Sequence, residues 1–157
     1  MLLPKRQPRF ESRSQCWATP QALFDRLDAE FHFEWDLAAA VETAKCAKFY
    51  TEADDALQHD WRGVCWLNPP FNSKTARLKR WIEKAYASAL NGATVVVLTP
   101  AHTNTVWWRD HVMKASEIRF ICGRPKFGNA TCGLIQSLAI VVFKPNCGST
   151  LISSYQA

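Results

Sequence analysis

The segment Val64-Cys65-Trp66-Leu67-Asn68-Pro69-Pro70-Phe71 constrains this chain more than any other stretch. Its four leading apolar residues read as a short buried strand. Two consecutive prolines must end that strand, because each locks φ near about −65° and removes an N–H that a neighbouring strand would need. The strand's C-terminal end therefore carries a side-chain amide, two backbone carbonyls without companion donors, and an aromatic ring. Such a set can grip an exocyclic amino group. The Asn68 side-chain oxygen and the Pro69 carbonyl accept its two hydrogens while Phe71 stacks on the attached heterocycle. Accepting both hydrogens concentrates the nitrogen lone pair, so a poor nucleophile becomes able to attack a methyl carbon. The same four residues also read more plainly, as a proline-rich turn after a buried strand.

The flanking sequence supplies the frame. Thr19-Pro20 predicts a helix start, with Thr at the N-cap and Pro at the first helical position. Leu23, Phe24, Leu27 and Phe31 follow on one face. Residues 33–37 read as a strand ending at Asp36, residues 38–44 as helix-permissive but short, and residues 49–50 as a brief strand before an acidic turn. The longest helix spans about 73–91, with Leu78, Trp81, Ile82, Ala85 and Ala89 as its buried stripe and Asn91-Gly92 as its stop. Residues 94–98 read as a fully buried strand and 105–115 as a further helix. Residues 118–122 and 138–143 read as strands joined by a polar loop, an antiparallel hairpin at the sheet edge. Strand–helix alternation of this kind predicts an α/β fold of three layers on a mostly parallel sheet. Ligands of such sheets bind beyond the carboxyl ends of the strands, where Asp36, Asp55, Asn68 and Thr99-Pro100 fall.

Charge is divided along the chain. Residues 1–60 hold 7 Lys/Arg against 11 Asp/Glu, whereas residues 61–157 hold 12 against 3. The acidic part suits a site that receives a cation, and the basic part suits a polyanion such as nucleic acid. Residues 1–15, with Lys5, Arg6, Arg9 and Arg13, read as a flexible basic arm ahead of a single domain over 16–157. The six cysteines form no Cys-x-x-Cys pair and the four histidines show no ligand spacing, so no metal site is expected. No apolar run approaches the roughly 20 residues of a membrane span, and the N-terminus lacks a secretory h-region. These features place the chain in a cytoplasm, with reduced cysteines.

The residues quoted above resemble a known family. Asn68-Pro69-Pro70-Phe71 is similar to the Asn/Asp-Pro-Pro-Tyr/Phe signature of S-adenosylmethionine-dependent amino-methyltransferases. With Trp17-Ala18-Thr19-Pro20, Leu23-Phe24, Asp36-Leu37-Ala38-Ala39, Ala44-Lys45-Cys46, Phe49-Tyr50-Thr51, Asp55-Ala56-Leu57 and Trp61, it resembles the compact phage DNA N6-adenine methyltransferases of Dam type. The resemblance implies a Rossmann-like methyltransferase fold and catalysis by Asn68, Pro69, Pro70 and Phe71. It implies S-adenosylmethionine binding by Trp17, Thr19, Pro20, Asp36, Ala38, Glu42 and Asp55. Asp36 would meet the ammonium of the methionine end, Asp55 the adenine amino group, and Glu42 the ribose. The glycine-rich loop of most methyltransferases is absent, Asp36-Leu37-Ala38-Ala39 standing in its place. The partner implied is double-stranded DNA with the target adenine flipped out, in a bacterial host cytoplasm if the chain is phage-encoded. Lys74, Arg77, Lys79 and Arg80 would hold the backbone, Arg124 and Lys126 would approach a groove, and Asn129 suits adenine. A GATC-type target is what the Dam likeness suggests. Two other readings stand beside this one: a non-catalytic nucleic-acid-binding protein on a degenerate methyltransferase fold, and a protein glutamine-amide methyltransferase. Cytosine N4 as acceptor is disfavoured because Ser usually leads the motif there.

Overall fold

Two prolines stop the strand Val64–Leu67, and a seven-stranded sheet is built on both sides of it. The computed structural model describes residues 18–71, 75–128, 135–146 and 148–156; the side chains of 75–77 lie outside that set. The basic arm over 1–15 is outside it too.

Helix α1 (Gln21–Phe31) comes first, followed by strands β1 (Trp35–Asp36), β2 (Lys48–Phe49) and β3 (Val64–Leu67). Helix α2 (Thr75–Leu90), strand β4 (Thr94–Pro100) and the short helix α3 (Val106–Asp110) continue the alternation. Strands β5 (Glu117–Cys122), β6 (Leu138–Phe143) and β7 (Leu151–Gln156) complete the sheet. The order is β2-β1-β3-β4-β6-β5-β7. β2, β1, β3 and β4 run parallel, β6 is antiparallel to both β4 and β5, and β7 is parallel to β5.

Alternation along the strands assigns the layers. In β4, Val95 and Val97 pack with Leu78, Ile82, Ala85 and Ala89 of α2 and with Trp107 and Trp108 of α3. Val96 and Leu98 point the other way, into a cluster with Leu23, Phe24 and Leu27 of α1. β6 divides likewise: Ala139, Val141 and Phe143 join the first cluster, and Leu138, Ile140 and Val142 the second. Trp66 faces α1, where Phe24 meets its ring edge-on at 5.8 Å and Phe33 lies at 5.5 Å. Each fully buried Val or Leu of this kind contributes about 1.5–3 kcal/mol by leaving water. Three layers result, as the alternation of elements predicts.

A salt-bridge cluster ties α1 to the far part of the sheet. Arg119 of β5 donates to both carboxylate oxygens of Glu30, at 2.7 and 2.6 Å, and also pairs with Glu117. Lys144 reaches Glu117 at 2.7 Å.

Several local expectations are corrected. Pro20, not Thr19, is the N-cap of α1: its carbonyl receives the N–H groups of Leu23 and Phe24, and the Thr19 hydroxyl makes no cap bond. Residues 38–44 form turns rather than a helix, because the Asp36 carboxylate accepts the N–H of Ala38 and of Lys45 and so draws the segment into a loop. The strand expected over 94–98 runs on to Pro100, which pairs with Leu138. The helix expected over 105–115 breaks at His111 and resumes as a 3-10 turn, Val112–Lys114. The antiparallel pair β5–β6 is present, but β7 lies outside it at the edge.

Helix α2 ends in a Schellman motif. The Gly92 N–H donates to the Ala89 carbonyl and the Ala93 N–H to the Ser88 carbonyl, both at 3.0 Å, with Gly92 at φ 100°. Nothing lies within 4 Å of where a Cβ on Gly92 would stand. Gly92→Ala should therefore cost about 1–2 kcal/mol through backbone conformation alone. Chemical denaturation of the two proteins measures it, and an unchanged midpoint would mean that φ there relaxes freely.

Candidate active site

Along the sheet order, the chain leaves β1 toward β2 and leaves β3 toward β4. The segments following these two neighbouring parallel strands diverge, and a crevice opens between their carboxyl ends. A cavity of about 450 Å³ occupies it. That volume is within the range of sites for ligands of nucleotide or drug size.

The polar lining comes from several parts of the chain. The end of β1 gives Asp36, the segment after β2 gives Thr51, Glu52 and Asp55, and the end of β3 gives Asn68 and the Pro69-Pro70 backbone. Ala18 and Thr19, just ahead of α1, form a further wall, and Arg80 and Trp81 of α2 another. Leu37, Ala38, Ala39, Ala40, Ala56 and Leu57 supply apolar surface between them. Three carboxylates thus share the cavity with two cations, Lys45 and Arg80.

Asp36 is buried, at 3 % exposure. Its Oδ1 accepts the Ala38 N–H at 3.3 Å and its Oδ2 the Lys45 N–H at 3.0 Å. Burial pushes its carboxyl above the ordinary range, while those two amides and the Lys45 charge pull back against it. A carboxylate held in this way is costly by itself and favours a cationic group beside it.

The 51–59 segment sorts two adjacent acids into different tasks. Asp54 Oδ2 accepts from the Thr51 N–H at 2.8 Å and from the Thr51 hydroxyl at 2.7 Å, and the Asp54 carbonyl meets His59 Nε2 at 3.0 Å. His59 stacks on Tyr50 at 4.6 Å, and Tyr50 on Trp35 at 5.0 Å. Asp54 is thereby spent on the loop. Asp55 takes a left-handed backbone, φ 46°, and lines the cavity. A non-glycine residue held there stores roughly 1–3 kcal/mol of strain, sustained by the stacked ladder around it.

Asn68 is fixed from across the crevice. Its Nδ2 donates to Thr19 Oγ1 at 3.0 Å, and Thr19 is itself 5 % exposed. Trp81 stacks on Trp61 at 5.9 Å, which steadies the opposite wall.

Of the residues singled out from sequence, the cavity brings together Thr19, Asp36, Ala38, Asp55, Asn68, Pro69 and Pro70. Arg80, read as a DNA contact, is in the same lining. Pro20 caps α1, and Phe71 packs half-buried against the α1 cluster. Glu42 is exposed and is not among the lining residues, whereas Glu52 is. Lys79 is exposed and pairs with Glu83 at 3.5 Å. Arg124 and Lys126 are exposed on the loop after β5. Trp17, Lys74, Asn129 and the Arg77 side chain lie outside the described residues. Thr99 and Pro100 are buried in β4 and are not among the lining residues.

Sequence reading missed Glu52, Thr51 and the Lys45 amide. Glu52 carried no signal of its own beyond its place in the acidic run Glu52-Ala53-Asp54-Asp55. Burial pushes the thiols of Cys46 and Cys65 up to about 12, so both are protonated at neutral pH and unsuited to nucleophilic attack. Among the described residues, no group of three or more His, Cys, Asp or Glu could hold a metal ion, and no helix is long and apolar enough to cross a membrane.

Comparison with known proteins bears on this site. Residues 8–141 match the family described as DNA N-6-adenine-methyltransferase (Dam). The chain is 32% identical over 114 residues to the DNA N-6-adenine-methyltransferase of Haemophilus phage HP1 (strain HP1c1), covering 71% of this chain and 64% of that protein. It is 38% identical over 63 residues to the protein YfdM of Escherichia coli (strain K12), covering 35% of this chain and 69% of YfdM. The match therefore spans somewhat under two thirds of the phage protein's length.

The loop over 38–45 rests on one carboxylate. Hydrogen bonds to a charged group contribute about 1.5–3 kcal/mol each, so Asp36→Ala should speed amide exchange at Ala38 and Lys45 roughly ten- to a hundredfold. Hydrogen-exchange NMR reads both positions, and unaltered rates would mean that the backbone holds the loop unaided.

Proposed function

Because the chain belongs to the DNA N-6-adenine-methyltransferase (Dam) family, we propose that it transfers a methyl group from S-adenosylmethionine to N6 of adenine in double-stranded DNA. The observation that carries this reading is the meeting, in one crevice, of the Asn68-Pro69-Pro70 turn with three carboxylates, the buried Asp36 and the exposed Glu52 and Asp55.

The donor set fits S-adenosylmethionine. Asp36, buried and raised, suits the ammonium of the methionine end. Glu52 suits the ribose hydroxyls, the place first given to Glu42, and Asp55 suits the adenine amino group. Leu57, Ala56 and Trp81 suit the purine faces. The excess of acid over base in this lining suits a sulfonium cation.

When bound, the cofactor supplies an activated methyl group: a bond forms from adenine N6 to the methyl carbon as the sulfonium–carbon bond breaks, sulfur keeping that electron pair and one N6 proton passing to water. The chain's own task is orientation. Asn68 Oδ1 and the Pro69 carbonyl accept the two amino hydrogens and direct the nitrogen lone pair toward the donor. An adenine inside a duplex cannot reach Asn68, so the base is flipped out at a cost of a few kcal/mol. Exposed Arg124 and Lys126 and the exposed Lys79 of α2, together with the sequence neighbours Lys74 and Arg77, supply cations for the distorted backbone. Such an enzyme works in a cytoplasm, where the donor is made.

Incubation with DNA and S-adenosylmethionine labelled in its methyl group tests the reading. Label should enter adenine N6, identified after digestion to nucleosides. A gel shift of DNA without incorporated label would favour a binding-only protein, and label in a glutamine side chain would favour the amide methyltransferase. Asn68→Ala should lower turnover roughly a hundredfold or more while donor affinity stays nearly unchanged. Unimpaired turnover would remove Asn68 from its role.

Asp36 predicts a pH dependence of donor binding. Its folded-state value is raised, so acidification neutralises it earlier than an ordinary aspartate and removes the partner of the donor's ammonium. Affinity measured by calorimetry should begin to fall on acidification at a higher pH than an ordinary aspartate would allow, and Asp36→Asn should weaken binding roughly ten- to a hundredfold and flatten that profile. An equally steep profile in the variant would place the titrating group elsewhere.

A further inference from the structure

Opposite charges that stand close together in a protein usually pair, and in the crevice two of them do not. Both carboxylate oxygens of Asp36 are engaged by main-chain amides, Oδ1 by the Ala38 N–H at 3.3 Å and Oδ2 by the Lys45 N–H at 3.0 Å. The Lys45 ammonium donates instead to Gln21 Oε1 of α1, at 2.6 Å. Among the described residues, Lys45 forms no ion pair.

The loop explains the arrangement. Residues 38–44 leave Asp36 at Ala38 and return to it at Lys45, so the lysine main chain serves the carboxylate and its side chain is left for another partner. Gln21 is itself fixed, donating from Nε2 to Asp25 Oδ1 at 2.6 Å, and it holds the ammonium without neutralising it. Lys45 is half-buried, an unfavourable place for an ammonium that has no counter-anion. Its charge still acts on Asp36 through space, pulling that carboxyl down against the effect of burial. The two charges are therefore neighbours without touching, and both residues line the cavity of about 450 Å³.

A ligand group of a single sign cannot satisfy such a pair. A phosphate would meet Lys45 and be repelled by Asp36, and a simple amine would meet Asp36 and be repelled by Lys45. An α-amino acid end satisfies both, because its ammonium and its carboxylate stand on one carbon. The lining holds one more cation, Arg80, but it is exposed on α2 beside Trp81 and bonds neither Asp36 nor the 38–45 loop.

We propose that Lys45 binds the carboxylate of the donor's methionine end and, with Asp36 on the ammonium, makes the crevice selective for a zwitterionic sulfonium over one that lacks the carboxylate. This inference deepens the reading of the crevice as a methyl-donor site and rests on it. It gives Lys45 a task in recognition, and it makes the 38–45 loop the part of the chain that tells the donor from other adenosyl sulfoniums.

Calorimetry on the full chain tests it, with S-adenosylmethionine and its decarboxylated form as the two ligands. The unaltered chain should bind S-adenosylmethionine roughly tenfold or more tightly than the decarboxylated sulfonium. Lys45→Met keeps the apolar stem and removes the charge. It should weaken S-adenosylmethionine roughly tenfold, change the decarboxylated form by less than about twofold, and so bring the ratio of the two affinities close to one. Lys45→Arg should restore the ratio, and Arg80→Met should leave it in place, with thermal melts reporting that each variant is folded. Equal weakening of both ligands by Lys45→Met would mean that the residue only shapes the loop, and would overturn the proposal. A ratio that collapses in Arg80→Met would give the carboxylate to Arg80 and overturn it as well. An unaltered chain that binds both ligands equally well would overturn this inference while the donor reading stands, whereas a chain that binds neither would remove the donor reading and this inference with it.

Discussion

The divergence of the chain after β1 and after β3 is the constraint on which the rest of this structure depends. Parallel neighbours pack side by side along their whole length, so a ligand finds no room between them inside the sheet. Room appears only where the following segments depart in opposite directions, and β1 and β3 are the pair at which the order reverses. A polar residue stands at the end of each: β1 ends in Asp36, whose two oxygens bind the loop that walls the cavity, and Asn68 follows Leu67, the last residue of β3, ahead of two prolines that forbid continuation. Lengthening either strand by two residues would bury its polar end in the ladder and close the crevice.

The two layers flanking the sheet are unequal, and the inequality serves the site. On one face α2 and α3 bring Leu78, Ile82, Ala85, Trp107 and Trp108 against the strands. On the other, α1 is the described helix, and Phe33 and Phe127, from outside it, complete its cluster. A layer made of one helix and two inserted rings depends on how those rings are seated. Arg119 reinforces it by holding Glu30 of α1 with two hydrogen bonds while Glu117 and Lys144 complete the charge balance. The segment that reaches Asn68 grows from the N-terminal end of this same helix, so packing on the α1 face and geometry at the crevice are linked.

Much of this architecture is legible in the residues, and the exceptions have physical reasons. β3 and β6 are readable to the residue, because continuous apolar runs bounded by turn formers have few alternatives. α2 is readable from its stripe and its Asn91-Gly92 stop. β7 is not, since Leu151–Gln156 is exposed along most of its length and contains two serines; parallel pairing with β5, rather than burial, makes it a strand. The turns over 38–44 are hidden for a different reason. Three alanines permit a helix locally, yet a buried carboxylate nearby takes the amide hydrogens that a helix would need. Thr19 shows the same override, since its sequence context names a cap while its hydroxyl serves a residue 49 positions away. In the crevice, Asp36, Asp55 and Asn68 could be named from sequence because they stand at matching positions in the family that the chain resembles. Glu52 differs from Glu42 only in where the loop turns, which no local pattern encodes.

Methyl transfer from a sulfonium needs no strong acid or base, because the leaving group departs neutral and the acceptor loses its proton after attack. Rate then depends on distance and direction, and errors of an ångström or of half a turn in one amide become decisive. A chain that uses few groups in the reaction must hold those few from outside it. The prolines after Asn68 fix the backbone, and the hydrogen bond to Thr19 holds the side-chain amide. Proline rigidity and the Thr19 hydrogen bond are therefore complementary: one places the residue, the other places the atom. The turn is thus held both through its own main chain and from the opposite side of the crevice.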